Sequence, residues 1–116
     1  MSFRIKRIYA PAKPDDGLRV LVDRLWPRGI KKTDAQLDDW MKDVAPSDAL
    51  RKGFGHKPER FTEFSRRYKK ELAGSAGVKA LRALGKKKKV TLLYGATDPE
   101  HNQAVVLMSV LKRKGS

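Results

Sequence analysis

Two short apolar runs limit what this chain can fold into more than any other feature. Residues 18–25 read LRVLVDRL and residues 90–94 read VTLLY, with nearly continuous apolar and β-branched side chains. A strand with one wet face alternates apolar and polar residues, whereas a continuous run needs both faces covered. The two runs are separated by stretches of helical periodicity, so they pair in parallel through crossovers. The expected class is α/β: a small three-layer αβα sandwich with a short, mainly parallel, Rossmann-like sheet. With 116 residues there is room for one such domain, spanning 1–116, and a real core.

The remaining segments fill in around those strands. Residues 3–9 begin with apolar and basic residues in alternation, as a half-buried strand does. Pro11, Pro14 and Asp15-Asp16-Gly17 make a turn-rich loop. In residues 37–44, Leu37, Trp40, Met41 and Val44 fit a helical i, i+3, i+4, i+7 stripe, and a short strand fits too. Pro46-Ser47 opens a short helix to about Lys52, capped by Ser47. Pro58 starts the next helix, whose Phe61, Phe64, Tyr68 and Leu72 face inward, opposite Arg66, Arg67, Lys69 and Lys70. Gly74-Ser75-Ala76-Gly77 ends it, and Val78, Leu81 and Leu84 carry a further helix to Gly85. Asp98-Pro99-Glu100 opens the last helix, with Ala104, Leu107, Met108 and Leu111 facing in.

Charge narrows the partners. Twenty-seven Lys and Arg against thirteen Asp and Glu give +14, and a pI near 10.3 makes nucleic acid a candidate partner. A solvated, solubilising surface explains the same excess. The positives crowd into Arg66-Arg67, Lys69-Lys70, the run of residues 86–89 and the tail Lys112-Arg113-Lys114, while acids gather at Asp15-Asp16 and in residues 34–43. No apolar run approaches the roughly 20 residues of a membrane span, and the N-terminus has no apolar segment of the secretory kind. Without cysteine, disulfides, thiolate catalysis and cysteine zinc sites are excluded. The cytoplasm is the default compartment, and no membrane partner, metal or cofactor is expected.

In open parallel sheets, ligands bind beyond the carboxyl ends of the strands. There the first run ends in DRLWPRG, residues 23–29, and the second leads into residues 94–102. As parallel neighbours, the two loops face one crevice. One supplies Asp23, Arg24, Trp26 and Arg28; the other supplies Tyr94, Thr97, Asp98, His101 and Asn102, with a helix N-terminus near Pro99. Helix amides and guanidinium groups present several donors to one anion, and Trp26 offers a stacking face. Ser47 and Arg51 complete the ligand-binding set, and Asp23, Asp98 and His56 are the acid–base candidates.

Each of these residues also has an architectural reading. Asp23 with Arg24 or Arg28 makes an ion pair that holds the turn, Trp26 beside Pro27 fills core, Asp98 caps a helix, and His56 is a loop residue after two glycines. The serine after Gly74 lacks the Gly-Lys-Ser/Thr ending of a P-loop, neither histidine belongs to a metal-type pair, and no Gly-x-Ser-x-Gly elbow exists.

Several stretches taken together resemble a known family. They are Lys6-Arg7-Ile8-Tyr9, residues 19–30 (RVLVDRLWPRGI), Ala45-Pro46-Ser47 with Leu50-Arg51, Phe54 and His56, Phe64 with Arg67-Tyr68 and Glu71-Leu72, and the 90–94 strand with Asp98 and Asn102. Over nearly its whole length the chain resembles the bacterial YeaO-like proteins of the DUF488 group, a domain-of-unknown-function family that supplies no substrate. A broader related group looks to carry Val-Asp-x-Arg at an early strand end, matched here by Val22-Asp23 followed at once by Arg24. It also carries Cys-x-Glu and Cys-His-Arg at a later strand end, where this chain has Tyr94-Gly95-Ala96 and His101-Asn102. Any thiol function of those relatives therefore does not carry over. The matching segment before Ala45 looks extended in that group, which favours a strand at residues 39–44.

Two functions of different class follow. In one, the crevice binds a small anionic or nucleotide-like ligand, as a hydrolase or transferase, with Arg24, Arg28 and Arg51 on the anion and at least one carboxylate of raised pKa. In the other, the basic surface binds nucleic acid with strong salt dependence. A blander possibility is an interaction protein in which DRLWPRG only buttresses a turn. Oligomeric state is left open.

Overall fold

The structure is a computed structural model that describes residues 2–113; Lys114 of the basic tail lies outside them. Four strands, β1 (Phe3–Arg7), β2 (Leu18–Leu21), β3 (Asp39–Trp40) and β4 (Val90–Tyr94), form an all-parallel sheet in the order β1-β4-β2-β3. The class is α/β, as the two apolar runs require. β4 lies between β1 and β2 and is buried along its whole length, which is why VTLLY has no alternation.

The sandwich is uneven. Helices α3 (Phe61–Leu72), α4 (Ala76–Lys87) and α5 (Gln103–Lys112) bury Phe64, Tyr68, Leu72, Val78, Leu81, Leu107 and Leu111 in one cluster with Phe3, Val20, Val22, Val90, Leu92 and Tyr94. The opposite face carries Ile8, Leu21 and Leu93, covered by Ala35 of the four-residue helix α1 (Lys32–Ala35) and by half-buried Trp26, Ile30, Leu37 and Trp40. Parity explains the split, because Leu92 and Leu93 are neighbours in sequence and point to opposite faces.

Several boundaries differ from the sequence expectation. The 18–25 run stays in the sheet only to Leu21: Val22 N–H still reaches the Leu93 carbonyl at 3.0 Å, and then the chain turns away, leaving Leu25 exposed. Residues 37–44 form no helix. Trp40 lies in β3 and residues 42–44 form a single 3-10 turn, so the extended reading holds for Asp39 and Trp40. Asp38 Oδ2 accepting the Arg19 N–H at 2.7 Å, and Met41 N–H on the Leu21 carbonyl at 2.9 Å, draw this segment to the sheet.

Among the helices, α2 (Asp48–Phe54) is capped by Ser47, whose Oγ accepts the Leu50 N–H at 3.2 Å. Pro58 opens a 3-10 turn that runs directly into α3. Gly85 does not end α4: it sits inside the helix, where a Cβ would lie 2.3 Å from Phe3 Cζ, so its role is to seat that ring. The last helix begins at Gln103, not near Pro99. Asn102 caps it, Oδ1 accepting the Val105 N–H at 3.1 Å, while Asp98 closes a separate turn by accepting the Glu100 and His101 N–H groups.

Candidate functional site

Where β2 and β4 end side by side, the Asp23 carboxylate crosses from one strand end to the other. Its Oδ2 accepts the Gly95 N–H at 2.9 Å, and its Oδ1 accepts from Gln103 Nε2 in the first turn of α5. Gly95 must lack a side chain here, because a Cβ would stand 2.8 Å from Asp23 Oδ2 and 3.0 Å from Pro27 Cβ. Burial pushes the Asp23 carboxyl up, to about 6, against the pull of the Gly95 N–H, the Gln103 amide and the Arg51 charge.

Asp23 lines a cleft of about 520 Å³, within the range of small-ligand sites. Leu25, Pro27, Phe54 and Phe64 supply apolar wall, and Arg24, Arg28, Arg51 and Lys52 supply positive charge. Arg24 donates from Nε to the Pro46 carbonyl at 2.8 Å and from Nη2 to the Ala45 carbonyl at 3.4 Å, so its fork fastens the start of α2 rather than pairing with Asp23. Arg51 donates to Asp48 Oδ1 at 3.2 Å, while its buried Nε has no hydrogen-bond partner among the described residues. An unmatched buried donor costs about 1–3 kcal/mol.

His56 also lines the cleft, exposed and held at φ 56° directly after Gly55 at φ 54°. A left-handed non-glycine residue costs about 1–3 kcal/mol, and such positions cluster at functional sites. Trp26 has two duties: its Nε1 donates to the Ile30 carbonyl at 2.8 Å and its ring meets Trp40 edge-on at 5.4 Å, yet it still contributes to the cleft lining.

Of the residues singled out from sequence, Asp23, Arg24, Trp26, Arg28, Arg51 and His56 converge on the cleft. Ser47, Tyr94, Asp98 and Asn102 do not line it. Ser47 caps α2 and meets Glu71 through both its N–H and its hydroxyl. Tyr94 is buried. Asn102 caps α5 and donates to the Asp98 carbonyl at 2.8 Å. Asp98 meets His101 Nδ1 at 2.8 Å and is held below the ordinary carboxylate value, first by the Glu100 N–H and then by His101.

Tyr9, Lys52 and Gln103 line the cleft as well, and sequence reasoning passed over all three. Gln103 is the first residue of α5, and a polar residue directly after an Asn cap is the sequence signal that marks it. Tyr9 donates its hydroxyl to the Arg28 carbonyl at 2.6 Å, a contact across 19 residues that no local pattern encodes.

Residues 2–115 match the family described as "Inactive DUF488-N3 subclade". The chain belongs to that subclade. The DUF488-N3 match agrees with 46% identity to the uncharacterized protein YeaO of Escherichia coli K12, over 97% of this chain and 98% of that one. The uncharacterized protein Rv3073c of Mycobacterium tuberculosis is also 46% identical, over 93% of this chain and 92% of its own. No solved structure matches the chain. Among the described residues no helix is long and apolar enough to cross a membrane.

Proposed function

We propose that the cleft binds a small anionic, nucleotide-like ligand without turning it over. The observation that carries this reading is the gathering of Arg24, Arg28, Arg51 and Lys52 around an apolar-walled cleft of about 520 Å³ at the carboxyl ends of parallel strands. Arg51 is the key anion contact, because its partly exposed side chain lines the cleft and Asp48 takes only one of its nitrogens. Binding rather than hydrolysis or transfer is supported by the subclade's description as inactive. The test is a thermal-shift series with phosphate, sugar phosphates and nucleotides on wild type and Arg51→Ala, at low and high salt. A salt-tolerant rise in Tm, lost in the variant, is expected; no shift with any anion would refute the reading.

A second reading rests on a different surface. Lys86, Lys87, Lys88 and Lys89 directly precede β4, and α5 returns from the cleft end to finish at Lys112 beside Arg82, whose Nη2 donates to the Val110 carbonyl at 2.8 Å. The lysine run therefore lies at the amino ends of the strands, opposite the cleft, and all four lysines are exposed. That edge fits a nucleic-acid backbone. Exposed Tyr9 and Leu25 both lie at the cleft, so among the described residues the lysine edge carries no large exposed apolar side chain of the kind that anchors a membrane-binding surface.

A further inference from the structure

Asp23 is a negative group in a cationic cleft, and that combination is informative about the ligand. A bare anion seated among Arg28, Arg51 and Lys52 meets repulsion from the carboxylate beside it. The carboxylate is not sealed off as a structural pair. It is half-buried and lines the cleft, and its oxygens accept from the Gly95 N–H and the Gln103 amide. An ionised carboxylate has about four lone-pair sites, so about two remain for a ligand. Both of its protein partners are neutral donors, and the nearby Arg24 directs its fork to the Ala45 and Pro46 carbonyls.

Resting on the anion-cleft reading above, we infer that the ligand joins an anionic group, held by Arg28 and Arg51, to a planar edge of N–H donors that docks on Asp23. A guanine nucleotide is the probe with that chemistry: adjacent ring N–H and exocyclic amine donors on a flat body, linked to a phosphate. The flat body suits the apolar walls at Leu25, Pro27 and Phe54.

The experiment is calorimetric titration with GMP, IMP and inorganic phosphate at pH 8, where Asp23 is ionised, on wild type, Asp23→Asn and Arg51→Ala. IMP differs from GMP only in lacking the exocyclic amine, so the wild-type comparison reads the donor edge without requiring any variant to fold. GMP is expected to bind at least about tenfold tighter than IMP, the worth of one hydrogen bond to a charged group. Asp23→Asn is expected to abolish that gap while leaving phosphate binding equal or tighter, since a repelling charge has gone. Equal affinity of wild type for GMP and IMP overturns the inference, as does equal weakening of all three ligands by Asp23→Asn. Arg51-dependent phosphate binding with no GMP preference would overturn it and leave the anion cleft standing; no binding of any of the three would remove both.

Discussion

The Asp23 carboxylate accepts the Gly95 N–H at 2.9 Å, and the absent Gly95 side chain makes that approach feasible. One contact thus joins the ends of two strands 72 residues apart in sequence. Gly95→Ala should push Asp23 and Pro27 aside and cost about 1–3 kcal/mol, the usual range for overpacking. Urea unfolding measures it, and a variant as stable as wild type would show that the carboxylate is not fixed there.

Asp23 also sets a pH dependence with a definite sign. Its folded pKa of about 6 lies above the ordinary aspartate value of 3.8, so between those values the folded protein keeps a proton that the unfolded chain has released. The contribution is complete below pH 3.8 and is lost as pH rises through 6. The ceiling is about 3 kcal/mol, reduced to about 1–2 because the group is only half-buried. Asp23→Asn should therefore lack the wild-type fall in stability between pH 4 and 7. Parallel pH profiles for the two proteins would contradict this.

Asp16 behaves in the opposite way. It is buried with Arg19 in an ion pair at 2.6 Å, and Lys6 reaches both of its oxygens at 3.0 Å. Burial pushes its carboxyl up, but the Lys13 N–H, Lys6 and Arg19 outweigh that and hold it at about 2. Its stabilisation is present above pH 3.8 and is lost as pH falls through 2. Removing one partner strands the other charges, so Asp16→Ala should cost about 3–5 kcal/mol at pH 7. A cost below 1 kcal/mol in chemical denaturation would mean that water enters the pair.

The lysine edge gives a salt prediction. If it binds a nucleic-acid backbone, replacing Lys86, Lys87 and Lys88 together by Gln should reduce the slope of log affinity against log salt by up to about 2–3. Fluorescence anisotropy with a duplex oligonucleotide reads this directly. The three side chains are exposed, so stability should hold within about 0.5 kcal/mol. An unchanged slope would return these lysines to a solubilising role.

The fold was legible wherever one residue pattern allowed one burial geometry. β4 matches its apolar run residue for residue, and the stripe Phe64, Tyr68 and Leu72 faces the core at helical spacing. Boundaries set by a distant partner were not legible. Residues 37–44 have a helical stripe, yet Arg19 and Leu21 draw them to the sheet edge. Gly85 reads as a helix stop and is instead a seat for Phe3.

By itself the sequence determined the parallel α/β class and the strand ends where polar residues gather, among them Asp23, Arg24 and Arg28; the approach of Arg51 and His56 to that cleft is seen only in the folded chain. The class and the strand ends follow from local periodicity and from the rule that ligands meet parallel sheets at their carboxyl ends. Only the tertiary structure decided which polar groups are already occupied: Asn102 caps α5, Glu71 meets Ser47, Arg24 ties down α2, and Asp23 bridges Gly95 and Gln103. Hydrogen-bond partners and desolvation depend on atoms brought close by folding, and residue type alone does not encode them.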